Sequence, residues 1–179
     1  FAIKLDHNGK TVVKELKEED WDEVIFEATY PVATIRYIDK DLPVDVFMRA
    51  GGIFIPLDAD DSALPATIFS LHIKNNSAKE IGVSVCGWLE NGAHKISAVD
   101  GDGMRQNSVV KDENHCAVFS SFNAHDPAAN AQRDAGSTCI AFIGSNGKVN
   151  TDARPWPVSE ELFNGRNEHI SEGKPSEKL

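Results

Sequence analysis

The chain has 179 residues, 41% of them hydrophobic and 26% charged, with a net charge of -10. That composition suits one globular domain or part of a larger one. The acidic balance argues against a nucleic-acid backbone as partner, because phosphate binding needs clustered Lys and Arg, and no apolar run approaches the ~20 residues of a membrane helix.

In chain order, the dominant signal is short β-type segments bounded by turn residues. Asn8-Gly9 tolerates positive φ and lies between "FAIKL" and "TVVKEL", which predicts a hairpin. "EVIFEA" (Glu23–Ala28) carries the β-branched and aromatic residues that suit a pleated surface. "ATIRYI" alternates, with Ile35 and Tyr37 on one face and Thr34, Arg36 and Ile38 on the other. "VDVFMRA" sets Val44, Val46 and Met48 against Asp45, Phe47 and Arg49. "TIFSLHIKN" (Thr67–Asn75) sets Phe69, Leu71 and Ile73 against Ile68, Ser70, His72 and Lys74. Such period-2 patterns belong to half-buried strands of an antiparallel sheet. After a turn at Asn75–Ala78, further strands are expected in "EIGVSVCGWLEN" (Glu80–Asn91), "HKISAV", "QNSVVK", "HCAVFSS" and "TCIAFIG".

Asn91-Gly92, Asp100-Gly101, Asp102-Gly103 and Asn146-Gly147 are further turn dipeptides. From about Ser121 the composition shifts, and "FNAHDPAANAQRDAGS" reads as a long surface loop. "VSEELFNG" (Val158–Gly165) predicts one short helix near the C-terminus, with Ser159 as N-cap, Glu160 and Glu161 in the first turn and Gly165 at its end. Many short strands at close intervals favour an all-β antiparallel sandwich over Phe1–Gly165, followed by a polar tail, Arg166–Leu179. Phe1 rather than Met opens the chain, and no signal segment precedes it. It is expected to be a fragment, a processed product or the ordered part of a longer protein.

Few residues point to chemistry. Asp58, Asp60 and Asp61 cluster in "DADDSALP", but that run lacks the glycine and closing Glu of a calcium loop. Neighbours in one turn cannot straddle a sugar as a glycosidase pair must. The run is expected to be a capped turn, Asp and Ser side chains accepting backbone N–H bonds. In "DGDGMRQ", Met104 stands where a fifth-position ligand would be needed. The histidines form no H-x-H or H-x-x-x-H pair, and there is no G-x-S-x-G elbow, P-loop or dinucleotide fingerprint. No metal or cofactor is expected. Cys86, Cys116 and Cys139 are odd in number and lack C-x-x-C spacing, so they are expected as three buried thiols. Unpaired cysteines lean toward a reducing compartment such as the cytoplasm. Trp88 lies within an expected strand and is read as packing, whereas Trp156, between Pro155 and Pro157, is read as a contact surface.

Three stretches then carry a resemblance: "GKTVVKELKEEDWDEVIFEATYPVATIRYID", "LPVDVFMRAGGIFIPLDADDSALPATIFSLHIKN" and "VSVCGWLENG". Together they resemble the N-terminal domain of the glycoside hydrolase family 116 β-glucosidases, which include the non-lysosomal glucosylceramidases. "FIPLDADDSALPATIF" is the most specific part. The resemblance is good to about Gly92 and looser to Ile143, and "RPWPVSEELF" and the final "SEKL" look like later pieces of the same domain. One departure is local: Gly51-Gly52 stands where the family commonly has a Ser-Pro-type step.

The resemblance implies a supersandwich-type β-domain packed against a helical (α/α)6 barrel in the same polypeptide. The catalytic carboxylates would lie in that barrel, so no catalytic residue transfers to this chain. The parent's substrate would be a β-glucoside, a glucosylated lipid among the candidates. Asp58, Asp60, Asp61 and Trp156 are then expected as interdomain or cleft-edge contacts. Two other readings stay open. One is a stand-alone module gripping a carbohydrate or protein through Trp156 and the 121–136 loop. The other is a single-domain enzyme such as a sugar mutarotase, which would need convergent His and acidic residues.

Overall fold

A computed structural model describes residues 1–97, 103–144, 147–149, 151 and 163. Over these residues the protein is built from antiparallel sheets with little helix. The strands are β1 (Ala2–His7), β2 (Lys10–Glu15), β3 (Glu23–Thr29), β4 (Val32–Ile38), β5 (Val44–Gly52), β6 (Thr67–Asn75), β7 (Gly82–Cys86), β8 (Gly103–Lys111), β9 (His115–Ala124) and β10 (Thr138–Ile143). One four-residue helix, α1 (Ala59–Ser62), joins β5 to β6, and 3-10 turns cover Glu18–Asp20 and Pro127–Ala131. The chain divides into two compact units, Phe1–Val85 and Cys86–Leu179.

The first unit pairs a three-stranded sheet, β2-β1-β7, with a four-stranded meander, β3-β4-β5-β6. Asn8 (φ 51°) and Gly9 (φ 74°) close the β1–β2 hairpin, with His7 opposite Lys10. Two consecutive positive-φ residues match the right-handed strand twist, as the Asn-Gly pair predicted. In β5 the alternation is realised: Val44, Val46 and Met48 are buried between more exposed neighbours. They meet Ile3 and Leu5 of the other sheet, with Tyr37 and Trp21, in one apolar core. Two sheets packed face to face through alternate residues make a sandwich. Trp21 donates from Nε1 to the Glu15 carbonyl (2.7 Å), and its ring lies 5.3 Å from Tyr37. Lys14 sits over that ring and pairs with Asp39.

The two sheets differ in length, and this shapes the molecule's surface. β1 has six residues and β5 nine. β1 with the preceding Phe1 reaches from beside Leu42 and Pro43 to Phe69, which pairs with Ala50, so only the last residues of β5 lie beyond it. The core lies under the Val44–Met48 part of β5. Toward Gly52 the cover thins: Met48 is 7% exposed, whereas Phe69, one cross-strand row further on, is 48% exposed even with the Phe1 ring 5.1 Å from it.

The second unit contains the sheet β10-β9-β8. Cys116 and Ala117 of β9 are buried. Asn91 donates to the carbonyls of Gln106 in β8 and Ser121 in β9, both at 3.1 Å, and so ties the segment before β8 to that sheet.

Several expectations are corrected. The strand expected over Glu80–Asn91 ends at Cys86, where Gly87 follows and the backbone leaves the sheet. "HKISAV" is turn over its described residues. Its amides at Ile96 and Ser97 are taken by the Asp134 carboxylate rather than by a neighbouring strand. The loop expected from Ser121 begins later, because β9 runs to Ala124 and Pro127–Ala131 coils into a 3-10 turn capped by Asp126. Of the three thiols only Cys116 is buried, and Cys139 is exposed. The helix expected over Val158–Gly165, the tail from Arg166, and the turn residues Asp100–Asp102 and Asn146 lie outside the described residues.

Candidate functional site

The "DADD" run forms the capped turn its residue types predict. Asp58 is the N-cap of α1, and its Oδ1 accepts the Asp61 amide at 3.0 Å. Ser62 Oγ accepts the Ile55 amide at 2.9 Å and donates to the Ile55 carbonyl at 3.0 Å. Asp58 and Ser62 therefore hold the turn closed from both ends. Leu57, at φ 68°, projects wholly into solvent. The carboxylates of Asp60 and Asp61 are exposed and make no hydrogen bond or ion pair among the described residues. One acid of the three is thus structural, and two are available to a partner.

What surrounds this turn is apolar. The β3–β4 connection places Tyr30 at 81% exposure, and its ring meets Phe54 edge-on at 5.4 Å. Ile55, Leu64, Ile68 and Phe26 are also exposed. Phe26 lies on the edge strand in the Met48 row, whereas Tyr30, Phe54, Ile55, Leu64 and Ile68 lie at or beyond the Gly52 end of the meander. Gly51 fits there because a Cβ would stand 2.8 Å from the Pro31 carbonyl, so the strand end needs a residue without one. Exposed apolar side chains that touch, as Tyr30 and Phe54 do, beside exposed carboxylates are a feature of interaction sites. The structure therefore places Asp58, Asp60 and Asp61 on one exposed edge, while Trp156 lies outside the described residues. The apolar part of the edge was missed in the sequence, where Ile68 and Phe69 read as ordinary strand residues.

A second grouping, in the other unit, also went unnoticed. His94 is 2% exposed, its Nδ1 3.3 Å from Ser97 Oγ and its ring 4.4 Å from that of Phe122. Asp134 accepts the amides of Ile96 (2.8 Å) and Ser97 (2.9 Å). The Ser97 hydroxyl, with these amides, holds the Asp134 carboxyl down at about 2. Ser, His and Asp thus meet, but in the wrong order for nucleophilic catalysis. In a triad the acid orients the histidine and leaves the serine free, whereas here the acid engages the serine. The grouping braces the 93–97 turn, and Arg105 reinforces it by donating to the carbonyls of Ala93 and His94. No group of three or more metal-ligating side chains occurs among the described residues, and none of their helices is long and apolar enough to cross a membrane.

The family model described as "beta-glucosidase 2, glycosyl-hydrolase family 116 N-term" matches residues 3–173. No curated protein matches the sequence. The family match takes in both units, the acidic turn and the His94 network alike. The chain belongs to glycosyl-hydrolase family 116, as the N-terminal region of that family.

Proposed function

We propose that this region is a non-catalytic brace: its bare sheet end docks on the helical catalytic domain of the same polypeptide. That parent hydrolyses a β-glucoside, a glucosylated lipid among its candidate substrates, by a retaining mechanism with two carboxylates in the helical domain. The observation that carries the reading is the exposed apolar group at the Gly52 end of the meander, Tyr30, Phe54 and Leu57, beside the carboxylates of Asp60 and Asp61, which have no partner among the described residues. An apolar surface of this kind is stable in water only at a cost, and burying it supplies the main driving force for docking. Free carboxylates at the rim fix orientation by seeking Lys or Arg on the partner.

The decisive experiment uses the full-length enzyme. Asp60→Ala with Asp61→Ala is expected to raise KM for an aryl β-glucoside about two- to tenfold, or to make the domain junction more sensitive to protease. An enzyme unchanged in both respects would return these acids to the role of a solvated turn. The 179-residue chain alone is expected to show no turnover, and activity that survives repurification would overturn the non-catalytic reading.

A further inference from the structure

The second unit contains a cavity of its own, of about 190 Å³, beside the 93–97 turn. Three pieces of chain build it: that turn, the end of β9 and the 3-10 turn over Pro127–Ala131. Phe122 and the small side chains of Ala128 and Ala129 form its apolar wall. His94, Ser97, Asp126 and Gln132 form its polar wall. An engineered cavity of ~150 Å³ holds one six-membered ring, and sites for larger ligands run to ~300–1,000 Å³. A space of about 190 Å³ therefore admits one ring and no more.

His94 is the buried polar residue of this wall, at 2% exposure. Its amide donates to the Asp134 carbonyl at 3.0 Å, and its own carbonyl accepts from Arg105 at 3.2 Å. Its Nδ1 is engaged with Ser97 Oγ at 3.3 Å, and the Phe122 ring lies against its own. Nε2 has no hydrogen-bond partner among the described residues. It is not sealed from solvent, as His7 Nδ1 and Thr138 Oγ1 are. In a side chain otherwise enclosed, that nitrogen opens on the cavity. The Gln132 amide has no partner among the described residues either. Asp126 uses Oδ1 to accept the Ala128 amide at 2.9 Å, which leaves Oδ2 for a ligand.

We infer that this cavity binds the pyranose ring of a neutral monosaccharide, with sugar hydroxyls on His94 Nε2, Gln132 and Asp126 and ring C–H groups on Phe122 and the alanines. Imidazole nitrogen donates or accepts according to its tautomer, and an amide does both. A hydroxyl is the ligand group that answers either, so the match holds for both tautomers of His94. The described wall contains no Lys or Arg, so an anionic ligand would meet only the Asp126 carboxylate. The site is formed within the second unit and does not depend on the docking reading, which concerns the first.

The test uses the 179-residue chain and three probes: D-glucose, tetrahydropyran, which has the ring without hydroxyls, and glycerol, which has hydroxyls without the ring. Titration with D-glucose followed by NMR is expected to move the methyl signals of Ala128 and Ala129 and the ring signals of His94, saturably and in the millimolar range. Tetrahydropyran and glycerol should each bind at least about tenfold more weakly, having lost one half of the match. Gln132→Ala changes an exposed side chain and should raise the dissociation constant for D-glucose about three- to tenfold, the factor one hydrogen bond supplies. Ala129→Leu fills the cavity from its wall and should abolish the shift of the Ala128 methyl. No saturable shift with D-glucose would overturn the inference and leave the cavity to water. Equal binding of either comparison probe would overturn it too, as would D-glucose binding that neither variant alters.

Discussion

At the scale of single residues, the first unit is pinned by one charged contact that its sequence gives no sign of. Lys14 and Asp39 lie 25 positions apart, yet they pair across the edge of the core with side-chain exposures of 20% and 10%. Burial works to raise the Asp39 carboxyl. The Lys14 ammonium and the Asp41 amide outweigh it and leave that carboxyl below its usual range. Lys14→Met should keep the stem packed on Trp21 but strand a half-buried carboxylate, at about 3 kcal/mol by chemical denaturation. Asp39→Asn in the same background should restore much of that, which a double-mutant cycle reads directly. Asp134 offers a second residue-scale test. Its folded value of about 2 lies below the ordinary 3.8. A depressed carboxyl contributes stability that is full above the unfolded value and lost as pH falls through the folded one. The denaturation midpoint should therefore drop as pH falls from about 4 to about 2, and Asp134→Asn should flatten part of that slope. Equal slopes in the two proteins would remove Asp134 from the acid response.

At the scale of elements, legibility followed the source of each segment's hydrogen bonds. Thr67–Asn75 was read to the residue because its alternation and its pairing with β5 agree. The acidic turn was equally legible, because Asp and Ser capping is a local chemistry that sequence spacing displays. The 93–97 segment was not. Its β-branched and apolar residues suit a strand, but its amides are satisfied by Asp134, 37 and 38 positions away. No local pattern records such a partner. Gly51 is intermediate: it was noticed as a departure, and only the 2.8 Å approach of the Pro31 carbonyl explains it. Gly51→Ala should force that backbone apart and cost about 1–3 kcal/mol. In a unit of this size that corresponds to a fall in Tm of roughly 4–8 °C per kcal/mol. Gly52→Ala, whose nearest contact would be an ordinary 4.0 Å, is the matched control and should change little.

At the scale of the whole molecule, the pattern of buried and bare surface is what sequence periodicity could not supply. Met48 and Phe69 lie on the same face of one sheet, and alternation assigns both to the interior. Coverage depends on how far the opposing strands reach: Phe1, just before β1, touches Phe69, yet half of that side chain stays exposed. Hence the fold class was legible, while the candidate site's apolar half was not. If the bare end is a docking surface, its residues should matter little to the folding of this chain and much to its association. Tyr30→Lys with Leu57→Lys is therefore expected to leave the unfolding free energy within about 0.5 kcal/mol of the parent, as exposed positions usually do. The same pair should reduce binding of a hydrophobic dye by the isolated chain, and in the full-length enzyme it should loosen the domain junction to protease. Met48→Ala, on the covered part of the same sheet, should do the reverse: it costs about 2–5 kcal/mol of stability and leaves the exposed surface as it was. A large loss of stability from the Tyr30 and Leu57 pair would show that this end supports the fold itself, and the docking reading would then lose its main observation.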